Sequence, residues 1–223
     1  EFLWDHRNRL AGAITRDSGG QVVATQQIVY DAFDWKLSRT LDPDGAGAAA
    51  ATIERFVHDR EHIAMVFGDT AAPIEIFLHG PGIDMVLAEQ RGADTSWLLG
   101  DHLNTVRDVV AADGSLRNHL RYDTFGRITG QTDAGFAPRF SYSGRELNAE
   151  LGLYHYRARY YDPALGVFIS EDPGGFGAGD ANLYRYVGNS PTFLVDPQGL
   201  YPTLSEIREG FGTIGEIGMA ESA

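Results

Sequence analysis

The chain has 223 residues, 43% hydrophobic and 11% aromatic, which is enough for a substantial core in one or two domains and excludes a disordered chain. Its 31 acidic and 18 basic residues give a formal charge of -13, a field that repels phosphate and anionic lipid, so nucleic acid is not an expected partner. Cysteine is absent, which excludes disulfides and thiolate-held zinc and leaves the redox compartment open.

No run approaches the roughly 20 apolar residues a spanning helix needs, and no basic and then apolar leader opens the chain. Direct membrane insertion by this segment is therefore not expected. With 27 Gly and 9 Pro, turns are frequent, and an all-β fold is predicted. The start at Glu1 without an initiator Met, and the end at Ala223 without a cap, read as a fragment or processed piece of something longer.

Along the chain, Trp4-Asp5-His6-Arg7-Asn8-Arg9-Leu10, Tyr30-Asp31-Ala32-Phe33-Asp34-Trp35-Lys36-Leu37 and Tyr122-Asp123-Thr124-Phe125-Gly126-Arg127-Ile128 share one plan: aromatic, Asp, turn, basic residue, aliphatic. In such a unit the aromatic and aliphatic pair across two antiparallel strands while the Asp caps the turn amides. Its repetition marks a stacked β architecture. Residues 45–67 combine an Ala-rich run with strand-like alternation and are expected to form a loop or short helix leading into a hairpin. Further strands are predicted at 74–78, 83–88, 97–99 and 139–142. Turns should fall at Gly68-Asp69, His79-Gly80-Pro81-Gly82 and Arg91-Gly92-Ala93-Asp94. Asp113-Gly114 between the alternating runs 105–111 and 116–122 is a strong hairpin signal. After Leu200 the texture changes to a helix start at 202–209 and a Gly-rich tail, which places a boundary there.

Several motifs resolve to ordinary structure. His58-Asp59-Arg60-Glu61-His62 has the spacing of an inverted zinc-protease motif, but its flanks read as two strands joined by a polar turn, in which the imidazoles diverge. His6, His79, His102, His119 and His155 lack ligand spacing, and no metal or cofactor is expected. Gly45-Ala46-Gly47-Ala48-Ala49-Ala50 follows no convincing strand and reads as a flexible connection, as does Gly175-Phe176-Gly177-Ala178-Gly179. The chain has neither a Walker loop nor a Gly-x-Ser-x-Gly elbow. Asp-Pro-x-Gly occurs at Asp42, Asp172 and Asp196, and by itself it specifies only a type I turn.

One dense stretch goes further. The set Arg159-Tyr160-Tyr161-Asp162-Pro163-x-x-Gly166, Ser170-x-Asp172-Pro173, Asn182-Leu183-Tyr184-x-Tyr186-Val187-x-Asn189-x-Pro191 and Asp196-Pro197-x-Gly199-Leu200 closely resembles the Rhs repeat-associated core. The upstream units resemble YD repeats of the same family, and Gly100-Asp101-His102-Leu103 with Val106-Arg107-Asp108-Val109 resembles the lead-in to that core. The resemblance implies a fragment of a YD-repeat shell, a cocoon of spiralling β-strands, with the core as a plug at its C-terminal end. Residues 1–138 would be shell strands, 139–200 the core with an autoproteolysis motif, and 201–223 the start of a variable toxin or linker. It also implies an aspartyl autoprotease, with Asp172 and Asp196 as the dyad and Leu200-Tyr201 as the scissile bond. Pro173, Pro197 and Gly199 would shape the two turns. Two carboxyls held close share a proton, so that one serves as base and the other as acid. Where the family usually has Gly-Arg-Phe this chain has Gly166-Val167-Phe168, which leaves two alternatives: Arg159 or Arg185 substitutes for the missing guanidinium, or this copy cuts slowly or not at all. Implied partners are the chain's own C-terminal toxin peptide, the rest of the shell and its delivery machinery, in a secreted, exported or cell-surface protein of bacterial origin. The rival reading is a structural or adhesive shell segment of the teneurin kind that does not cut.

Overall fold

We describe residues 1–45 and 47–200 of a computed structural model; the expected helix start at 202–209 lies outside the described residues. Twelve strands run as one antiparallel meander in chain order: β1 (Phe2–Trp4), β2 (Leu10–Arg16), β3 (Val22–Tyr30), β4 (Lys36–Asp42), β5 (Thr52–Asp59), β6 (His62–Phe67), β7 (Pro73–His79), β8 (Val86–Arg91), β9 (Asp94–Gly100), β10 (Val106–Ala111), β11 (Leu116–Tyr122) and β12 (Ile128–Gln131). A second meander of four follows: β13 (Glu146–Asn148), β14 (Leu153–Tyr156), β15 (Arg159–Asp162) and β16 (Val167–Phe168). The remaining chain to Leu200 consists of short 3-10 turns and irregular segments, with no α-helix among the described residues.

The hairpins form because the turn residues supply both caps and left-handed backbone. Asp5 Oδ1 accepts the amides of Arg7 and Arg9, Asp31 those of Phe33 and Trp35, and Asp123 those of Phe125 and Arg127. The residue three places after each Asp has positive φ: Asn8 (61°), Asp34 (70°) and Gly126 (91°). Asp17 and Asp101 build the same turn without the aromatic flank, capping Gly19 and Gln21, and Leu103 and Thr105. A register shift accompanies all five turns, and each such bulge adds local bend and twist to the sheet.

Two expectations need correction. Residues 139–142 do not form a strand: Phe140 makes a single bridge to Glu146, and the backbone then enters a 3-10 turn over Tyr142–Gly144. The reason is tertiary, since Arg139 and Tyr142 are drawn into side-chain contacts with the large sheet instead of a ladder. The strand expected at 83–88 begins only at Val86, because Asp84 adopts φ 56° in the preceding turn. Of the region expected as a loop or short helix, residues 47–51 are an exposed loop leading into the β5–β6 hairpin.

One face of the large sheet supplies Phe56, Ile63, Val66, Phe77, Val86, Leu98, Val109 and Leu120, which close over Phe140. The small sheet has its own aromatic core of Tyr142, Tyr154, Tyr156, Tyr161, Phe168 and Tyr186. The two are joined through the Asp123 turn, whose successive carbonyls accept three tyrosine hydroxyls: Thr124 from Tyr142 (3.2 Å), Phe125 from Tyr161 (2.8 Å) and Gly126 from Tyr154 (3.0 Å). Buried Tyr hydroxyls need such partners, and this turn provides them in a row. Beside this joint, Leu10 and Ile28 pack on Leu153 and Tyr160.

Candidate active site

Both aspartates of the expected dyad are buried, Asp172 at 6% exposure and Asp196 at 2%, and both face the guanidinium of Arg159, itself 2% exposed. Arg159 Nη2 lies 2.9 Å from Asp172 Oδ2 and 3.6 Å from Asp196 Oδ2. The guanidinium stacks over the Phe168 ring at 3.6 Å. Three elements converge here: β15 carries Arg159, the turn after β16 carries Asp172, and the Asp196 turn carries the segment ending at Leu200.

Local chemistry sets each turn. Asp172 Oδ1 accepts the Gly174 amide at 2.7 Å, and its carbonyl accepts the Gly175 amide, so Pro173 sits within a closed turn. Asp196 Oδ1 accepts the Leu200 amide at 3.1 Å, which places that carboxyl within one residue of the expected scissile bond. Gly199 adopts φ 67°, and any side chain there would collide with the Tyr156 carbonyl.

Three consecutive carbonyls before Leu200 are held by three consecutive residues, Arg157 and Ala158 of the β14–β15 turn and Arg159 at the start of β15. The Arg157 guanidinium donates to Pro197 O, the Ala158 amide to Gln198 O (3.2 Å), and Arg159 Nε to Gly199 O (2.5 Å). Arg159 also donates to Leu183 O at 3.0 Å. Arg185 points elsewhere: its Nε lies 3.4 Å from Asp180 Oδ2, so of the two candidate arginines it is Arg159 that touches both carboxyls. Val167 pairs with Asp162 and bridges Arg185. Tyr201 lies outside the described residues.

Burial pushes the Asp196 carboxyl up to about 7, against the opposing pull of Arg159 and of the Leu200 and Gly199 amides. Burial also lowers Arg159 from its usual value, against the attraction of Asp172 and Asp196. A single buried cation offsets one carboxylate. Of the two carboxyls, Asp172 is the nearer to that guanidinium.

Sequence reasoning missed Arg157, Asp84 and Glu61. Arg157 Nη2 is 2.8 Å from Asp84 Oδ1, and Gln198 Nε2 donates to Glu61 Oε2 at 3.0 Å. The available signal was the Arg157-Ala158-Arg159 pair within an aromatic run, since two cations in a buried stretch require acidic or carbonyl partners. His58 Nε2 lies 2.9 Å from Lys36 O, and the His62 ring stacks on His79 at 4.5 Å.

Residues 10–192 match the family model described as the teneurin YD-shell. A probable deoxyribonuclease, RhsA of Dickeya dadantii, is 29% identical over 234 aligned positions, covering 97% of this chain and 14% of that protein. Salivary gland surface protein 1 of Aedes aegypti is 47% identical over 139 positions, covering 59% of this chain and 4% of that protein. Among solved structures, the TcdB2-TccC3 crystal structure superposes with a TM-score of 0.70 at 20% identity, over 89% of this chain and 10% of that one. The chain thus spans a small fraction of the length of the proteins it matches.

Proposed function

The chain belongs to the teneurin YD-shell family, of which the Rhs proteins are relatives, and from that premise we propose that it is the C-terminal closing segment of a toxin-enclosing shell that cuts itself after Leu200. In this reading residues 1–138 are shell strands, 139–200 the plug, and 201–223 the start of the released cargo. Its partners are that cargo, the remaining shell and a delivery apparatus, in an exported bacterial protein. The RhsA relative is named as a nuclease, but the match covers 14% of it, and the charge of -13 here does not favour a nucleic-acid surface.

The observation that carries the reading is the placement of two buried carboxyls against one guanidinium, with one of them bonded to the Leu200 amide. Asp172 takes a proton from a water whose oxygen attacks the Leu200 carbonyl carbon. Asp196 supplies a proton to the Tyr201 nitrogen as the C–N bond breaks, leaving a Leu200 carboxyl and a Tyr201 amine. Because the substrate is part of the same chain, positioning replaces binding, and well-oriented intramolecular groups reach effective molarities on the order of 10⁵ M or more. A single turnover suffices.

A second reading, a shell segment that only seals, is favoured by the same guanidinium: Arg159 can act as a lock, and Val167 stands where the family pattern has Arg. Intact mass and denaturing electrophoresis decide between them. Release of 201–223 from the parent chain, lost in Asp172→Asn and in Asp196→Asn, is the expected outcome. Gain of release only in Val167→Arg marks a weakened protease. Equal processing in both Asn variants refutes the aspartyl assignment, and a full-length mass throughout, Val167→Arg included, supports the sealing role.

A further inference from the structure

Of the three residues that grip the carbonyls before Leu200, Arg157 alone reaches into the large sheet. Its Nη2 meets Asp84 Oδ1 at 2.8 Å in the loop before β8, and Glu61 O at 3.3 Å in the β5–β6 turn, while its Nη1 donates to Pro197 O. Asp84 is 8% exposed and is held from the plug side by Arg145 Nη1 at 2.7 Å as well. Glu61 makes a second tie through Gln198, at 3.0 Å. Arg157 itself has φ 49°, a left-handed conformation that a non-glycine residue keeps only where its surroundings over-determine it. The peptide leading to the bond is thus fastened to the large sheet directly at Gln198 and through Arg157 at Pro197, and to β15 at Gly199.

We propose that Arg157 is a positioning residue that ties the Leu200 bond to the shell wall through Asp84 and Glu61, so that the site is complete only once the large sheet has folded against the plug. This rests on the reading that Asp172 and Asp196 cut after Leu200. The physical reason is that intramolecular catalysis here depends on placement, and a misplacement of about 1 Å can cost on the order of 10²-fold in rate. Folding of the wall therefore precedes release of the segment beyond the bond.

The test uses the 223-residue chain with Arg157→Met, Arg157→Lys and Glu61→Ala, the last at a half-exposed side chain that folding tolerates. Arg157→Met should slow processing by on the order of 10²-fold, with part of the rate recovered in Arg157→Lys, which keeps a charge but not the forked donors. Glu61→Ala should slow it less. Hydrogen exchange at the Leu200 amide, measured in an Asp172→Asn background so that cutting does not intervene, should accelerate in Arg157→Met while β10 and β11 stay protected. Parent-rate processing in Arg157→Met and Glu61→Ala with unchanged Leu200 exchange overturns the inference, and the dyad reading then stands on the Asp172→Asn and Asp196→Asn results alone. If those Asn variants process like the parent, the dyad reading falls, and the exchange measurement still upholds or overturns the tie.

Discussion

At Asp196 the decisive quantity is the cost of charging a carboxyl that is 2% exposed. Burial raises it to about 7 from 3.8, so the folded protein binds a proton that the unfolded chain releases. The stabilisation from that proton is fully present below 3.8 and is lost as pH rises through about 7. Activity should follow the same group: as the proton donor, Asp196 empties above neutrality, and processing should fall up to tenfold per pH unit above about 7. Fragment release timed from about pH 5 to about pH 9 checks this, and a rate flat across that range would remove Asp196 as the donor. Asp196 and Asp172 were legible as candidates from the family pattern, but the roles of Arg159 and Arg185 were not separable in sequence. Only the approach of β15 to both Asp turns makes Arg159 the contact.

Among the elements, the Asp-capped hairpin turn recurs at Asp5, Asp17, Asp31, Asp101 and Asp123, each aspartate accepting the amides two and four residues on. The repeat was readable at Asp5, Asp31 and Asp123, where an aromatic precedes the Asp. At Asp17 the preceding residue is Arg16, so the same geometry leaves a fainter trace. The Asp42-Pro43-Asp44-Gly45 turn is a contrast, because among the described residues Asp42 accepts the Asp44 amide alone, at 3.2 Å. Asp123→Ala should therefore lower unfolding free energy by about 1–2 kcal/mol in denaturant titration, and Asp42→Ala by about half that or less. Equal costs would mean that the caps are not what holds these turns.

Across the whole molecule, the small sheet and the segment leading into it meet the large sheet through buried charge as well as apolar contact. Lys36 pairs with Glu146, Arg139 bridges Glu54, Glu75 and Glu146, and Gln26 pairs with Asn148. A cavity of about 40 Å³ at this joint is lined by His58, His62, His79 and His155 together with Lys36, Arg145, Arg157, Glu61, Asp84 and Glu146. Burial lowers all four imidazoles, most strongly His155, where Lys36 adds to the effect. Burial alone would raise Glu146, but Lys36 and Arg139 hold it well below its ordinary value. Both kinds of group contribute stability that is present above the unfolded values, 6.5 for His and 4.5 for Glu, and lost as pH falls below them. The thermal midpoint should drop on acidification below about pH 6.5, and His155→Phe should flatten that drop. An acid dependence identical in parent and variant would exclude His155 as a contributor.

The sequence by itself determined the all-β class, most hairpins and the two Asp turns that matter, because alternation, Asp caps and positive-φ residues act over a few positions and leave a local trace. Tertiary structure alone decided that 139–142 bridges instead of pairing, that Arg159 rather than Arg185 contacts both Asp172 and Asp196, and that Arg157 ties Pro197 to Asp84. Those outcomes rest on contacts between residues from 13 positions apart (Arg159 and Asp172) to 85 apart (Arg139 and Glu54), whose partners are chosen by the geometry of burial and not by spacing along the chain.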